Sequence, residues 1–323
     1  METMTGAELM VRLLERQGIT QLTGIPGGAI LPFYDALAQR GTIEHILARH
    51  EQGAGFIAQG MARVTGRAAV CVASSGPGAT NLLTAIADAH LDSIPLVAIT
   101  GQVPLAMVGT DAFQEVDVYG MSIPITKHNF LVRSAAELLE VIPQAFRLAQ
   151  SGRPGPVLVD VPKDVQNQKV SFEHWPDPGA REPGPEIPME AIEQAATLIN
   201  EAERPVLYLG GGVVASETAS LAVALAEQAS MPTVMTLMGL GAMPVDHPLS
   251  LGMLGMHGAR YANFAVQESD LLVVVGARLD DRAVGKASAF APNAKIVHVD
   301  IDRAEFGKIK TPYLAVHADV DRK

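Results

Sequence analysis

At 323 residues, nearly half of them apolar and 18% charged, the chain holds material for about two cored domains. Its 24 Lys and Arg against 35 Asp and Glu give a formal charge of -11. That deficit is spread along the chain without a basic block, so no nucleic acid and no membrane surface is expected as a partner. One cysteine, Cys71, excludes an intrachain disulfide and a cysteine-based zinc site and fits a reducing, cytoplasmic setting. No run reaches the ~18 apolar residues needed to span a bilayer. The first residues mix acids and bases, as an amphipathic helix does and a signal sequence does not.

In chain order, Thr5 and Glu8 form a capping box that opens a helix ending at Gly18. The strand "ITQLT", a helix over 29–39 and the strand "IEHIL" follow, then a helix opening at Glu51. Next come "AAVCVAS", a helix over 79–89, "PLVAIT", a helix over 135–150 and "GPVLVDVP". Near-continuous apolar strands between helices indicate a parallel sheet covered on both faces. Residues 176–188 hold five prolines and two glycines, which marks a linker. The expected division is a first domain over 1–165, a linker over 166–188 and a second domain over 189–323. Alternation resumes with a helix over 189–202, "PVLYLG", a helix over 217–229, "PTVMTLM", "DLLVVVGAR" and "AKIVHVDID". The fold class is therefore α/β, with two open, doubly wound parallel sheets whose ligands sit beyond the carboxyl ends of strands.

Every notable residue follows a strand. Glu51 opens "EQGAGFIAQGMA", and no charge occurs from Gln52 to Ala62. A helix apolar almost all round reads as buried. Its glutamate either complements the helix dipole, worth a few tenths to ~1 kcal/mol, or is a functional acid. "GIPGGAI" (24–30) and "SSGPGATN" (74–81) each join a strand to a helix; either alone is accounted for by a tight turn. Together with Glu51 at a third strand end they point to one shared site. "GGGVVA" (210–215) matches the dinucleotide pattern, yet the next strand ends "TLMGLG" without the acid that grips a nicotinamide ribose. Asp300 and Asp302 are placed to hold a ribose or adenine from another direction. "GARLDDRAVGK" sets Arg278, Asp280, Asp281 and Arg282 after an apolar strand, as a salt-bridged turn or as part of a site. His257, His298 and His317 lack metal spacing, and Trp175 reads as packing for the linker.

The blocks "IPGGAILPFYDAL", "HEQGAGFIAQGMAR", "SSGPGATNLLTAIADAHLDSIPLVAITGQV", "GTDAFQEVD", "SGRPGPVLVDVPKDVQ", "GARLDDRAVGK" and "HVDIDRAEFGK" resemble the acetohydroxyacid synthase (acetolactate synthase) catalytic subunit. The resemblance runs from about Thr5 to the last residues. It implies thiamine diphosphate, Mg²⁺ and FAD as cofactors, and decarboxylation of pyruvate followed by carboligation to pyruvate or 2-oxobutyrate, toward the branched-chain amino acids. By resemblance Glu51 meets N1′ of the thiamine aminopyrimidine and favours its imino tautomer, in a water-poor pocket. Gly28, Ala29, Pro77 and Gln114 would border the thiamine ring or the reacting carbons, Phe113 the donor side and Lys163 the substrate channel. Arg282 would hold the acceptor's carboxylate. The catalytic set is thus Glu51, Gln114, Arg282 and Lys163.

For FAD, structural in this family, the matching positions are Arg153, Gly211, Thr236, Leu237, Leu254, Gly255, Met256 and His257. They continue with Gly276, Ala277, Arg278, Leu279, Asp280, Asp300, Ile301, Asp319 and Val320. Family members carry a third domain whose "GDG" segment holds Mg²⁺ and the diphosphate; no "GDG" occurs here. No metal ligand is therefore expected among these residues, and they are expected to be inactive by themselves. Implied partners are a second copy of the catalytic subunit, a small regulatory subunit and small 2-oxo acids. Competing expectations are a sister thiamine enzyme of the pyruvate oxidase kind, or a noncatalytic module that binds FAD and assembles with partners. Glyoxylate carboligase lacks the glutamate, which "HEQ" supplies.

Overall fold

A computed structural model describes residues 1–320, which form two compact units, the first Met1–Glu182 and the second starting at Pro183. The first unit runs β1 (Glu2–Thr5), α1 (Gly6–Arg16), β2 (Gln21–Gly24), α2 (Leu31–Arg40), β3 (Glu44–Leu47), α3 (Glu51–Thr65), β4 (Ala69–Ala73) and α4 (Pro77–Leu91). It continues with β5 (Leu96–Gln102), α5 (Val118–Ser122), β6 (His128–Leu131), α6 (Leu138–Gln150), β7 (Pro156–Pro162), α7 (Lys163–Asn167) and β8 (Lys169–Phe172). Six strands pair in parallel in the order β3-β2-β4-β5-β7-β6. Every residue of β4, β5 and β7 is buried, as strands covered by helices on both faces must be.

Local signals behave as expected at α1. The Thr5 side chain accepts the Glu8 amide at 3.2 Å, and the Glu8 carboxylate accepts the Thr5 amide at 2.7 Å. α3 departs from expectation. Ala54, Gly55, Ala58, Gln59 and Ala62 are buried, but Phe56 and Ile57 are 39% and 40% exposed and Val64 is 88% exposed. One face of this nearly uncharged helix is open in the single chain.

The expected linker over 166–188 also differs, because residues up to Glu182 pack into the first unit. β8 pairs antiparallel with β1, from Glu2↔Phe172 to Thr5↔Lys169. Gln166 is fully buried and donates to the carbonyls of Ala29 and Val161, both at 2.8 Å. Trp175 packs edge-on against Phe172, lies under the guanidinium of Arg12 at 4.6 Å and donates to Glu2 at 2.9 Å. The breaker-rich composition was real; a two-stranded pairing with residues far away in sequence is not visible in composition.

The second unit runs α8 (Met189–Glu201), β9 (Pro205–Leu209), α9 (Gly211–Ala215), α10 (Ala219–Gln228), β10 (Thr233–Met235) and β11 (Ser250–Met253). α11 (Arg260–Glu268), β12 (Leu271–Val275), α12 (Asp281–Val284), β13 (Lys295–Asp300) and β14 (Leu314–His317) complete it. Its strands are all parallel, in the order β11-β10-β9-β12-β13-β14. The order reverses between β9 and β12, a doubly wound topology with its crevice at that point. β10 is shorter than "PTVMTLM" suggested, because the Thr236 hydroxyl accepts the Gly239 amide at 3.0 Å and caps a turn. Among the described residues no helix is long and apolar enough to cross a membrane.

One carboxylate lies in the core of the first sheet. Asp160, in β7, is 1% exposed and accepts from Thr100 Oγ1 at 2.7 Å and Gln102 Nε2 at 3.0 Å. Burial pushes its carboxyl up to about 7; the two hydrogen bonds pull the other way, and the Asp117 charge adds to the rise. The folded state therefore keeps a proton that the unfolded chain releases near its ordinary 3.8. Stability contributed at Asp160 is full below that value and falls as pH rises toward 7. We expect the first unit to lose about 2 kcal/mol between about pH 5 and about pH 7 through this group. In Asp160→Asn, which mimics the protonated acid, that loss should vanish in urea titrations; an unchanged pH dependence would refute the assignment.

Candidate functional site

The first unit's switch point lies between β2 and β4, and three strand ends meet there. β2 leads into residues 25–30, β3 into Glu51 and β4 into 74–78. The Ala29 amide donates to Ser74 Oγ at 3.2 Å, joining the "GIPGGAI" and "SSGPGATN" loops. Glu51 is the first residue of α3, whose start is capped by the His50 ring accepting the Gln52 amide at 3.1 Å. Glu51 Oε2 accepts from Asn81 Nδ2 at 2.9 Å. Its Oε1 faces Gly78, where a β-carbon would stand 3.5 Å away, and takes no hydrogen bond from the described residues.

Gln114 reaches the same place by a close backbone approach. Gly76 has φ +57, and a β-carbon there would stand 2.7 Å from the Gln114 carbonyl oxygen and 2.9 Å from its Cα. Gln114 is itself left-handed, at φ 58. Thus Ala29, Glu51, the Gly76–Gly78 segment with Pro77, and Gln114 are brought together. Gly28, on the loop after β2, and Gly53, in the first turn of α3, have no atom within 4 Å of where a β-carbon would be. Glu51 thus has one oxygen held and the other free beside Gly78 for a polar group that enters there.

Phe113, the neighbour of Gln114, is 87% exposed. Other expected positions lie elsewhere in this unit. Lys163 opens α7 beyond β7, and its neighbour Asp164 accepts the Leu105 amide at 3.1 Å. Arg153 donates to Ser93 at 2.8 Å, and both residues precede their strands, β7 and β5. It therefore stands at the amino edge of the sheet, opposite the Glu51 edge.

In the second unit the expected residues collect at the carboxyl edge. Gly211, Thr236 with Leu237, Leu254–His257 and Gly276–Asp280 follow β9, β10, β11 and β12 in turn. Asp300 ends β13, and Asp319 with Val320 follows β14. At the switch point Gly276, φ +59, lies against Gly212, whose Cα is 2.8 Å from where a β-carbon would be. Gly210 lies against the Gly276 carbonyl and Ala277. Asp280 caps α12, its Oδ1 accepting the Arg282 amide at 2.9 Å and the Ala283 amide at 3.2 Å. Asp300 accepts the Asp302 amide at 2.8 Å, and the Ile301 carbonyl accepts from His317 Nε2 at 3.0 Å.

Arg282 has a 69% exposed side chain, 3.6 Å from the Met256 sulfur, and the Met256 amide donates to the Arg282 carbonyl at 2.8 Å. Leu254 is buried and Met256 is 63% exposed, so this segment turns outward at Gly255, φ +92. His298 is fully buried with Nε2 2.8 Å from the Ala277 carbonyl, as a structural histidine. Among the described residues no cluster of three His, Cys, Asp or Glu side chains is placed to hold a metal ion.

Sequence reasoning missed Asn81, the partner that orients Glu51, although it stands in the quoted "SSGPGATN". Its position one turn after Pro77, on the side of α4 that packs on α3, was the available signal. Ser74 was missed likewise.

The chain belongs to the thiamine pyrophosphate enzyme family: residues 4–121 match its N-terminal TPP binding domain and residues 192–322 its central domain. Within that family its likeness is to acetolactate synthase large subunits. It is 65% identical to the acetolactate synthase isozyme 1 large subunit of Escherichia coli (strain K12), over 98% of this chain and 56% of that protein. It is 53% identical to the acetolactate synthase large subunit of Corynebacterium glutamicum, over 98% of this chain and 51% of that protein. With acetolactate synthase 2, chloroplastic, of Nicotiana tabacum, it shares 51% identity over 99% of this chain and 48% of that protein. The chain thus spans about half the length of the relatives it matches.

The Gly76–Gln114 contact is directly testable. Gly76→Ala combines a β-carbon at positive φ with a clash against backbone, and should cost about 3 kcal/mol or more. Gly66→Ala, also at positive φ but with open space around it, should cost only about 1 kcal/mol. Equal losses of stability for the two variants in chemical denaturation would show that the contact contributes nothing.

Proposed function

We propose that this chain is the thiamine- and FAD-binding part of an acetolactate synthase catalytic subunit. The reaction is decarboxylation of pyruvate and carboligation to pyruvate or 2-oxobutyrate. The first unit is the thiamine pyrimidine-binding domain and the second the FAD-binding domain. The observation that carries this reading is Glu51: the first residue of a nearly uncharged helix, one oxygen fixed by Asn81, the other free beside Gly78. Bound thiamine diphosphate supplies the electron sink that lets a 2-oxo acid lose its carboxylate.

The chain's own residues do the rest. Glu51 Oε1 shares a proton with N1′ of the aminopyrimidine, and Asn81 keeps the carboxylate aimed there. Gly28, Ala29 and Pro77 give the ring a close-fitting backbone wall, Gln114 borders the ring or the reacting carbons, and Phe113 borders the donor side. Lys163 lines the approach of the acid. Arg282 offers a forked guanidinium to the acceptor's carboxylate, a geometry a lysine lacks.

FAD is held at the glycine-lined carboxyl edge of the second sheet, by Gly211, Thr236, Leu237, the 254–257 segment and Gly276–Asp280. Asp300, Ile301, Asp319 and Val320 complete this edge. Mg²⁺ with the diphosphate is held by a domain of the family outside these residues.

A second copy of the subunit covers the open face of α3, where Phe56, Ile57 and Val64 stand exposed. A small regulatory subunit is a further partner. The setting is cytoplasmic, consistent with a single buried cysteine.

In the complete enzyme, Glu51→Gln should cut acetolactate formation by roughly 10²–10⁴-fold, because an amide cannot share the proton. Deuterium exchange at C2 of the bound cofactor reads the role directly; exchange at the parental rate would sink it. Arg282→Lys should depress carboligation more than decarboxylation, so that acetaldehyde rises relative to acetolactate. Parallel loss of both products would remove Arg282 from the acceptor site.

A further inference from the structure

Residues 103–117 join β5 to α5 and carry Phe113 and Gln114 on a loop with only one short turn of helix, Leu105–Met107. Phe113 is 87% exposed, so its own packing does not hold the loop in place. Near its start the Leu105 amide donates to Asp164 at 3.1 Å, and both ends of the loop are bound by one side chain. Gln102, the last residue of β5 and 3% exposed, accepts the Val103 amide on Oε1 at 2.9 Å. Its Nε2 donates to the Val116 carbonyl at 3.0 Å, at the far end of the same loop. The other Nε2 hydrogen goes to Asp160 Oδ2 at 3.0 Å, and Thr100 donates to Asp160 Oδ1 at 2.7 Å. A primary amide has two donors, so none is left over.

Asp160 is what makes this arrangement single-valued. The last torsion of a glutamine is broad and roughly two-fold, so its oxygen and nitrogen exchange places easily. An acceptor on β7 fixes the nitrogen on that side and thereby the oxygen toward Val103. The anchor is firm, because β5 and β7 pair in register from Leu96↔Pro156 to Gln102↔Pro162. Downstream, Gln114 reaches Gly76 only by keeping its left-handed φ of 58.

We propose that Gln102 is a clasp that closes the 103–116 loop, that Asp160 orients the clasp, and that the pair positions Phe113 and Gln114 beside Gly76. Both are positioning residues; neither touches the reacting atoms. The consequence for turnover rests on the role given to Gln114 above, whereas the clasp itself does not.

Hydrogen–deuterium exchange of the 323-residue chain, read by mass spectrometry, tests the clasp without any cofactor. Gln102→Leu should speed exchange across 103–117 by about tenfold or more, while β4, β5 and β7 change by less than roughly twofold. Asp160→Ala should do the same. Asp160→Asn should stay within roughly twofold of the parent, since its nitrogen turns to Thr100 and its oxygen to Gln102.

An unmoved loop in Gln102→Leu overturns the proposal, and so does Asp160→Asn loosening the loop as much as Asp160→Ala. If Gln102→Leu does not fold, the parent chain decides. The Val103 amide must be protected while those of exposed Gly109 and Asp111 exchange freely, and an unprotected Val103 overturns the clasp. In the complete enzyme, a loosened loop with unchanged turnover would leave the clasp standing and overturn the role of Gln114.

Discussion

Contact between bare backbones at the carboxyl edge of each parallel sheet is the constraint on which both candidate sites depend. Adjacent strands deliver their loops only about 4.8 Å apart. At that spacing two loops can wrap one ligand only where side chains are missing between them. In the first unit Gly76 lets the Gln114 backbone lie where a β-carbon would be. In the second, Gly210 and Gly212 meet Gly276 and Ala277 across the switch point. The second junction sits where strand order reverses and the first lies between the β4 and β5 loops, next to that point, so the topology opens the crevice and the glycines set how closely its walls meet.

Two carboxylates in the first unit show how hydrogen bonding separates a structural acid from an available one. Asp160 accepts from two side chains inside the sheet and is held up to about 7 by burial, which makes it part of the frame. Glu51 accepts from one side chain and keeps its second oxygen toward the space beside Gly78. The helix that follows Glu51 has no charge to compete for that oxygen before Arg63, and Arg63 is engaged with Asp92 at 2.7 Å. An acid so placed interacts with whatever polar ring edge enters.

The sequence made visible what is local or periodic. The capping box at Thr5 and Glu8, the start of α3 at Glu51, and two runs of buried strands each rest on residues within a few positions of one another. The family resemblance, and with it the candidate residues, also lay in contiguous blocks. What escaped was set by partners distant along the chain. β8 exists because β1 offers it an edge, so "KVSF" was read with the linker. α3 looked buried because its composition is apolar all round, whereas one of its faces is open in the single chain. Arg153 stands in a strong motif, yet its motif cannot say that it occupies the amino edge of the sheet. Asn81 and Gln102 are ordinary amides in sequence, and only geometry shows which oxygen and nitrogen they face.

The pairing of β1 with β8 has a consequence for how the protein is made. Glu2 is synthesised well before its partner Phe172, which appears only after nearly the whole first unit has been made. At roughly 5–20 residues per second, β1 waits on the order of ten seconds before its edge can be filled. The central sheet can assemble during that interval, but the ribbon that ties the unit's beginning to its end closes last. Four residues, Glu-Thr-Met-Thr, make β1 short and mostly polar. A strand of that kind is a poor template for neighbouring nascent chains, which lets the edge stay open through synthesis without recruiting the wrong partner.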